Sequence, residues 1–554
     1  MAPPIELSST VGVKSTSIDY GSFRKWLKPI WVRATVHPDL SREPNEVGAA
    51  FGFIIRRSRI RQTFHESMEV PHRATSDLAL ALFDRYGRLR EDIRQHPVRQ
   101  GSGIWKGELD DGNIVLVEDV CVDEDYRRQG IGAKLVLHLL QTAMTSEPSV
   151  RYAFTLPEAY FDNNVEDDKG KQTEQEKRDT HRSKVVGVVR FFRSLQFRRV
   201  GLTGWFALAR DEQHMSRQLP SDRDVDPIPD DPSDSDDDSD PDLILVLEDS
   251  DALKLLQEFT KDDAAHELDV EATDGRGDTV MHVAAKSRKP ICLSWIWNRQ
   301  NGTSLSSRRN HEGYTPLEAL EARLEDQRVQ EPFGWSRRKF IADKFDGYDD
   351  NSVLCLLILQ GHETPTAEQR EKARFGCTCG NCLAGFLSPR MLKNLRAQAD
   401  VTHDYLLSLV PPGRSDWYEE FRDMLVYLPD TIRSQLRHKK VLQTAFVELV
   451  GAVAKCLADN SIPRKENVTK YLQESHIRPQ IEKYYFSSGG TVAAVVNVII
   501  DRARDQDIEV GESLLEMDAE EWFEGVVKCR NDQEYEFVRR HCTDDAPPKE
   551  EHAE

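Results

Sequence analysis

The sequence predicts a multidomain chain: an N-terminal α/β domain with a mixed central sheet flanked by helices, then all-α repeats and a helical C-terminal region. Three observations predict it. A β-branched run, Asn113–Val122, passes through a glycine-bearing turn into an apolar-periodic stretch, Leu135–Ala143, in the order strand, turn, helix. An acidic, proline-rich tract at 214–242 separates the first third of the chain from the rest. Beyond it a short motif recurs 36 residues apart, at Thr279 and Thr315, and periodic apolar runs come later at Val441–Leu457 and Val492–Ile500.

A length of 554 residues suits three or four domains. The net charge of −21 is uneven. Residues 1–213 hold 32 Lys+Arg against 30 Asp+Glu, or +2, so the remainder carries −21 − 2 = −23. No basic face dominates, which argues against a nucleic-acid partner. Nine cysteines in so long a chain do not make a disulfide framework, and MAPPIELSST lacks the basic and apolar regions of a signal peptide. Thr491–Ile500, the most apolar C-terminal stretch, is about half the length a membrane span needs. The expectation is a cytoplasmic or nuclear protein that does not bind membranes.

The tract at 214–242 has eleven Asp, two Arg and five Pro and reads as a disordered acidic linker. Its sharper reading is a phosphorylated or basic-partner-binding segment, since Ser233 and Ser235 each precede an Asp by three residues. Asp162–Lys184, charged throughout, reads as a loop inserted in the first domain, and 547–554 as a disordered tail. The expected divisions are 15–213 for the α/β domain, 243–345 for the repeats and 346–546 for the helical region with a cysteine cluster.

The chemistry concentrates at the first turn. Arg127-Arg128-Gln129-Gly130-Ile131-Gly132 matches R-x-x-G-x-G between a strand and a helix. A helix start offers unpaired N–H groups and a positive dipole end, and glycines let an anion approach the backbone. Consecutive N–H groups from Arg128 to Lys134 would wrap a pyrophosphate. The stretch VEDVCVDEDYRRQGIGAKLVLHLLQTA resembles the acetyl-CoA motif of GNAT acetyltransferases, and RFFRSLQFRRVG resembles a later segment of that family. Arg151–Leu156 then reads as a strand, Val185–Leu195 as a helix and Gly201–Ala209 as a closing strand.

The resemblance implies an N-acetyltransferase using acetyl-CoA. It implies that Val120, Cys121 and Val122 pair with the pantetheine arm, and that Arg127, Arg128, Gln129, Gly130, Ile131, Gly132, Ala133 and Lys134 hold the pyrophosphate. Glu118-Asp119 is similar to the Glu-Asp pair of spermidine/spermine-type members, which makes Glu118 the candidate general base; its plain alternative is a carboxylate capping the sheet or pairing with an Arg. Phe192 stands where many members have a Tyr that protonates the leaving thiolate, and Gln196 replaces a usual glycine. Tyr152, Tyr160 or water could substitute as the acid. Cys121 reads as a small buried apolar residue of the strand.

After the linker, DGRGDTVMHVAA (Asp274–Ala285) and NHEGYTPLEAL (Asn310–Leu320) both carry G-x-T and then Met or Leu. They resemble ankyrin repeats, with Val280 for the usual Pro and Glu318 for the usual His, and imply a protein partner or a packing platform. FGCTCGNC crowds Cys377, Cys379 and Cys382 into six residues. Three thiolates suit zinc, with Cys529, His541 or Cys542 as a fourth ligand. Free buried thiols or redox chemistry are the other readings. This region resembles the C-terminal part of uncharacterised fungal ankyrin-repeat proteins. The resulting expectation is an acetyltransferase for a small amine, polyamine or protein lysine, with a protein-interaction module. The alternative is a catalytically weak CoA-binding scaffold.

Overall fold

The computed structural model describes residues 5–11, 23–36, 45–60, 64–158, 174–227, 248–259, 272–299, 302–333, 337–340, 344–362, 364–408, 411–413, 416–474, 479–512 and 522–543. A seven-stranded sheet forms the N-terminal domain: β1 (Ile5–Val11), β2 (Leu27–Val36), β3 (Asn45–Ile55), β4 (Asn113–Val122), β5 (Val150–Thr155), β6 (Arg198–Arg199) and β7 (Phe206–Ala209). The spatial order is β1-β2-β3-β4-β5-β7-β6. Only β4 and β5 run parallel, so the sheet is mixed, as expected. Three shorter helices, α1 (Phe64–Glu69), α2 (Arg73–Leu82) and α3 (Glu91–Arg94), lie between β3 and β4; the parallel pair requires a crossover, and α4 (Ile131–Ser146) supplies it.

Side-chain alternation along β4 divides the core. Ile114 and Leu116 join Phe53, Phe154 and the apolar stripe of α2 (Arg73–Leu82) on one face. Val115 and Val117 join Leu135, Leu139, Phe192 and Phe197 on the other. In α4 the buried positions 131, 135, 136, 139, 140 and 143 follow the helical period and fix which side meets the sheet.

Several boundaries differ from expectation. The domain begins at least at Ile5 rather than 15, because all seven residues of β1 pair with β2. The expected loop at 162–184 ends in helix: α5 runs Glu174–Ser194, eleven residues ahead of the predicted start at 185. The expected closing strand at 201–209 shortens to β7. Tyr160 and the rest of the loop, 162–173, lie outside the described residues.

The expected linker divides. Residues 228–242, with Ser233 and Ser235, lie outside the described residues, but 214–227 pack on the domain. They contain α6 (Met215–Gln218), whose Ser216 is buried. The Asp224 carboxylate is fully shielded, accepting Arg193 Nε at 2.7 Å and the Arg199 N–H at 3.1 Å. Asp226 accepts from Arg193 and Arg199 at 2.7 and 2.6 Å. Charge that reads as solvated therefore finds counter-charge on RFFRSLQFRR. Removing one member of so shielded a set costs about 3 kcal/mol. Asp224→Ala is expected to lower the thermal midpoint of the N-terminal domain by several degrees in scanning calorimetry. An unchanged midpoint would make this strap dispensable.

Among the described residues the second half is helical, with one departure from the all-α expectation. Gln330–Phe333 and Arg337–Phe340 form an antiparallel ribbon, β8 and β9. It comes directly after the helix Pro316–Val329, which ends as Gln330 turns to extended backbone. The two predicted motifs begin helices Val280–Lys286 and Pro316–Val329, with Thr279 and Thr315 as N-caps. The ring of His282, three positions into its helix, accepts the Thr279 N–H at 3.2 Å, and Glu318 accepts the Thr315 N–H at 2.8 Å. His282 Nε2 then reaches the Tyr314 carbonyl at 3.0 Å, joining one motif to the next. Burial lowers its pKa, so the neutral ring accepts with Nδ1 and donates with Nε2.

The divisions 243–345 and 346–546 share a single hydrophobic cluster, from Ala252 to Cys542, because each helical layer leaves an apolar side for the next to cover. Its central helix, Lys440–Ala458, is long and apolar enough to cross a membrane by length and composition, and twelve of its residues are buried inside the fold. The tail at 547–554 lies outside the described residues.

The two halves meet through polar groups. Arg85 pairs with Glu534 at 2.6 Å and Arg88 donates to Gln533 at 3.0 Å. Tyr314 donates to Asp92 at 2.9 Å, His96 lies 3.2 Å from Glu318, and Arg99 donates to the Glu312 carbonyl at 3.1 Å.

Candidate active site

The predicted turn has the backbone of an anion cradle. Arg128 and Gly130 adopt left-handed conformations, φ 61° and 78°, alternating with ordinary residues. Such alternation points successive N–H groups to one side. Gly130 is the N-cap of α4, and a Cβ there would meet nothing within 4 Å, so the space before the cap is open. Among the described residues, the amides of Arg128 through Ala133 donate to no backbone carbonyl. The expected set is one residue shorter than predicted: the Lys134 N–H is bonded to the Gly130 carbonyl at 3.1 Å, so only its exposed side chain is available.

Side chains brace the turn. Arg127 folds back to donate to the Val122 carbonyl and to Glu124, both at 2.9 Å, and Gln129 donates to the Asp125 carbonyl at 3.2 Å. Arg128 is exposed, Ile131 is buried, and Gly132 packs near Phe191.

Next to the cradle the sheet opens. Pairing of β4 with β5 ends at Val117 and Thr155. Beyond it, among the described residues, Asp119 to Val122 pair only with β3, which leaves one edge of β4 to accept an extended ligand such as a pantetheine arm. Val120 and Val122 are half-buried. Cys121 is exposed, contrary to the buried residue expected, because it lies past the end of β5. The Val122 carbonyl is already engaged by Arg127, so it is only partly free for that role.

Glu118 sits on a β-bulge. Asp119 pairs with Phe51 and Val117 with Gly52, so Glu118 is the extra residue between them. Oε1 lies 3.3 Å from His72 Nδ1, while Oε2 is buried with no partner among the described residues. His72 caps α2, its Nδ1 accepting the Ala74 N–H at 3.2 Å. Burial, then the neighbouring Asp119 charge, raises the Glu118 carboxyl to about 7. Burial raises Asp119 too and lowers His72. Both members of the His72–Glu118 contact are thus pushed towards neutrality, and with Nδ1 already accepting the Ala74 N–H the 3.3 Å approach is no fixed ion pair.

Residues 79–164 match the model of the acetyltransferase (GNAT) family. The chain carries a GNAT acetyltransferase domain. Acetyl-CoA is the cosubstrate this domain implies, and the left-handed turn, the free amides and the open β4 edge fit its pyrophosphate and pantetheine. The match does not reach the repeat-like or cysteine-bearing regions. No curated protein and no solved structure matches the chain.

Phe192 is buried against Phe191 and Phe197 on the α4 face, where it packs the core. Tyr152, a predicted substitute acid, lies in the opposite cluster beside Trp105 and His214, and burial raises its hydroxyl to about 12. The site residue that sequence reasoning missed is His72. Its signal was slight: a capping position in PHRATSD before an apolar-periodic stretch.

The four cysteines named from the sequence converge far from this site. Cys377, Cys379, Cys382 and Cys529 place their Sγ atoms within 4.8 Å of one another. The other candidate ligands do not join them: Cys542 is buried in the large core, and the His541 ring packs on Phe375, Phe386 and Phe537.

Proposed function

We propose that this chain is an acyl-CoA N-acetyltransferase that moves an acetyl group from acetyl-CoA to a cationic amine, with Glu118 as general base. The observation that carries the reading is the unpartnered, buried Glu118 Oε2 beside the open edge of β4. An ammonium group must lose a proton before its nitrogen can attack a thioester. In the anionic form Glu118 accepts that proton; the amine attacks the thioester carbonyl; the C–S bond breaks as the nitrogen releases its second proton to solvent, and solvent protonates the thiolate. His72 lies against Oε1 and leaves Oε2 for the acceptor, which makes it a positioning residue. Asp119 adds negative character that favours a polyamine or a lysine side chain.

A carboxyl raised to about 7 gives the pH dependence its sign. The base works only when ionised, so kcat/KM is expected to rise with pH through about 7 and then level off. The test is a pH–rate profile with saturating acetyl-CoA. A flat profile between pH 6 and 8 would remove Glu118 from the role.

The ankyrin-like pair of motifs serves in this reading as the platform that carries the acetyltransferase domain, since the turn at Glu312–Tyr314 contacts Asp92 and Arg99. A protein partner would use the rest of that surface. A second reading, an acetyl-CoA-binding scaffold with little turnover, is favoured by Phe192, which brings no hydroxyl to the leaving thiolate. Detection of an N-acetylated product from full-length protein separates the two.

A further inference from the structure

The geometry points to a structural Zn(Cys)4 site formed by Cys377, Cys379, Cys382 and Cys529, which clips the segment after Cys529 into the surface on which the acetyltransferase domain docks. The sulfur spacings carry the metal assignment. Cys377–Cys379 and Cys379–Cys382 are each 3.8 Å apart and Cys382–Cys529 is 3.4 Å. A tetrahedron with Zn–S bonds of about 2.3 Å has edges of about 3.8 Å. A disulfide needs about 2.05 Å, so no pair here is one. Four thiolates make a closed set with no position left for substrate, the mark of a structural site.

The surroundings suit a cluster that would carry two negative charges. The Asn381 N–H points at Cys379 Sγ at 3.3 Å, the Thr378 hydroxyl at Cys529 Sγ at 3.7 Å, and the Asn531 amide at Cys382 Sγ at 3.8 Å. These are the outer donors that orient and soften thiolate ligands. Gly380, at φ 70°, reverses the chain between Cys379 and Cys382, and a Cβ there would face open space. Three ligands thus come from one tight loop and the fourth from 147 residues away in sequence, which is where a metal crosslink constrains the chain most.

The residues just after Cys529 give the clip its consequence. The Arg530 N–H donates to Thr378 in the loop at 3.0 Å. Asn531, fully buried, accepts from Arg328 at 3.1 Å and donates to the Gly385 carbonyl at 3.3 Å. Two residues farther along touch the acetyltransferase domain: Gln533 takes the Tyr86 hydroxyl and Arg88, and Glu534 takes Arg85. Fixing Cys529 therefore fixes, within five residues, the groups that receive Arg85, Tyr86 and Arg88.

The test uses the full-length chain purified without chelator. One zinc per chain is expected by elemental mass spectrometry. It should be lost in Cys382→Ser and Cys529→Ser and kept in Cys456→Ser, a buried thiol outside the cluster. Because a ligand variant could fail to fold, the wild-type protein is also exchanged into cobalt(II). Intense visible bands with sulfur-to-cobalt charge transfer are expected for a four-thiolate tetrahedron. A folded chain that takes up neither metal, or one whose cobalt spectrum is that of oxygen ligation, overturns the site. Stripping the metal with a chelator should raise amide hydrogen exchange in both 85–99 and 529–535. Exchange that stays unchanged in 85–99 overturns the link to docking.

Discussion

Glu118→Gln is expected to lower kcat by about 10²- to 10⁴-fold, the contribution of a positioned general base, while leaving acetyl-CoA affinity within about twofold. Glutamine keeps the shape of the side chain and its place on the β-bulge, but it cannot accept the proton of an ammonium group. The fold should tolerate the change well, because the wild-type carboxyl is already pushed to about 7 by burial and by Asp119. Replacing it with a neutral amide removes a desolvation cost and does not break an ion pair. Two readouts separate a catalytic loss from a structural one. The rise of kcat/KM through pH 7 should vanish in Glu118→Gln. His72→Ala, which removes the positioning contact at 3.3 Å but leaves the carboxylate, should lose less and should keep a pH-dependent rate. If Glu118→Gln retained full kcat, proton removal would have to be assigned elsewhere.

The double variant Gly130→Asp, Gly132→Asp is expected to weaken acetyl-CoA binding by about 100-fold or more, in line with about 3 kcal/mol of lost and opposed charge-assisted hydrogen bonding. The structure says why folding should survive. A Cβ on Gly130 meets nothing within 4 Å, and one on Gly132 reaches the Phe191 ring at 3.4 Å, an ordinary contact. Asp is among the residues that best tolerate the left-handed backbone at position 130. Its carboxylate would sit where the free amides of Arg128 to Ala133 converge, and it would repel the pyrophosphate. Calorimetric titration of the folded variant checks this. Unchanged affinity would mean that acetyl-CoA is held elsewhere.

Much of the α/β domain was legible because its signals are local. The β-branched run at Asn113–Val122 became β4 at those bounds, and the R-x-x-G-x-G turn sits between that strand and its helix. The caps at Thr279 and Thr315 were equally local. Signals carried across the chain were not legible. His72 and Glu118 are 46 positions apart in sequence and meet only because a bulge turns Glu118 towards α2. Residues 214–227 look like solvated linker in composition, yet Arg193 and Arg199 neutralise Asp224 and Asp226. β1 was missed because IELSSTV is polar and only half-covered, as an edge strand often is. The fourth cysteine, Cys529, is nominated from the sequence with His541 and Cys542 beside it as alternatives, and only the fold brings it to Cys382.

Product formation by the full-length chain tests the central claim most directly. Acetyl-CoA is incubated separately with polyamines, lysine-bearing peptides and small primary amines, and the mixtures are read by mass spectrometry for an added acetyl group and by thiol release for free CoA. The account predicts stoichiometric N-acetyl product and CoA with at least one cationic class, both abolished by Glu118→Gln. Acetyl-CoA bound by the folded protein, with no acetylated product across the three classes, would contradict it and leave the domain as a CoA-binding scaffold.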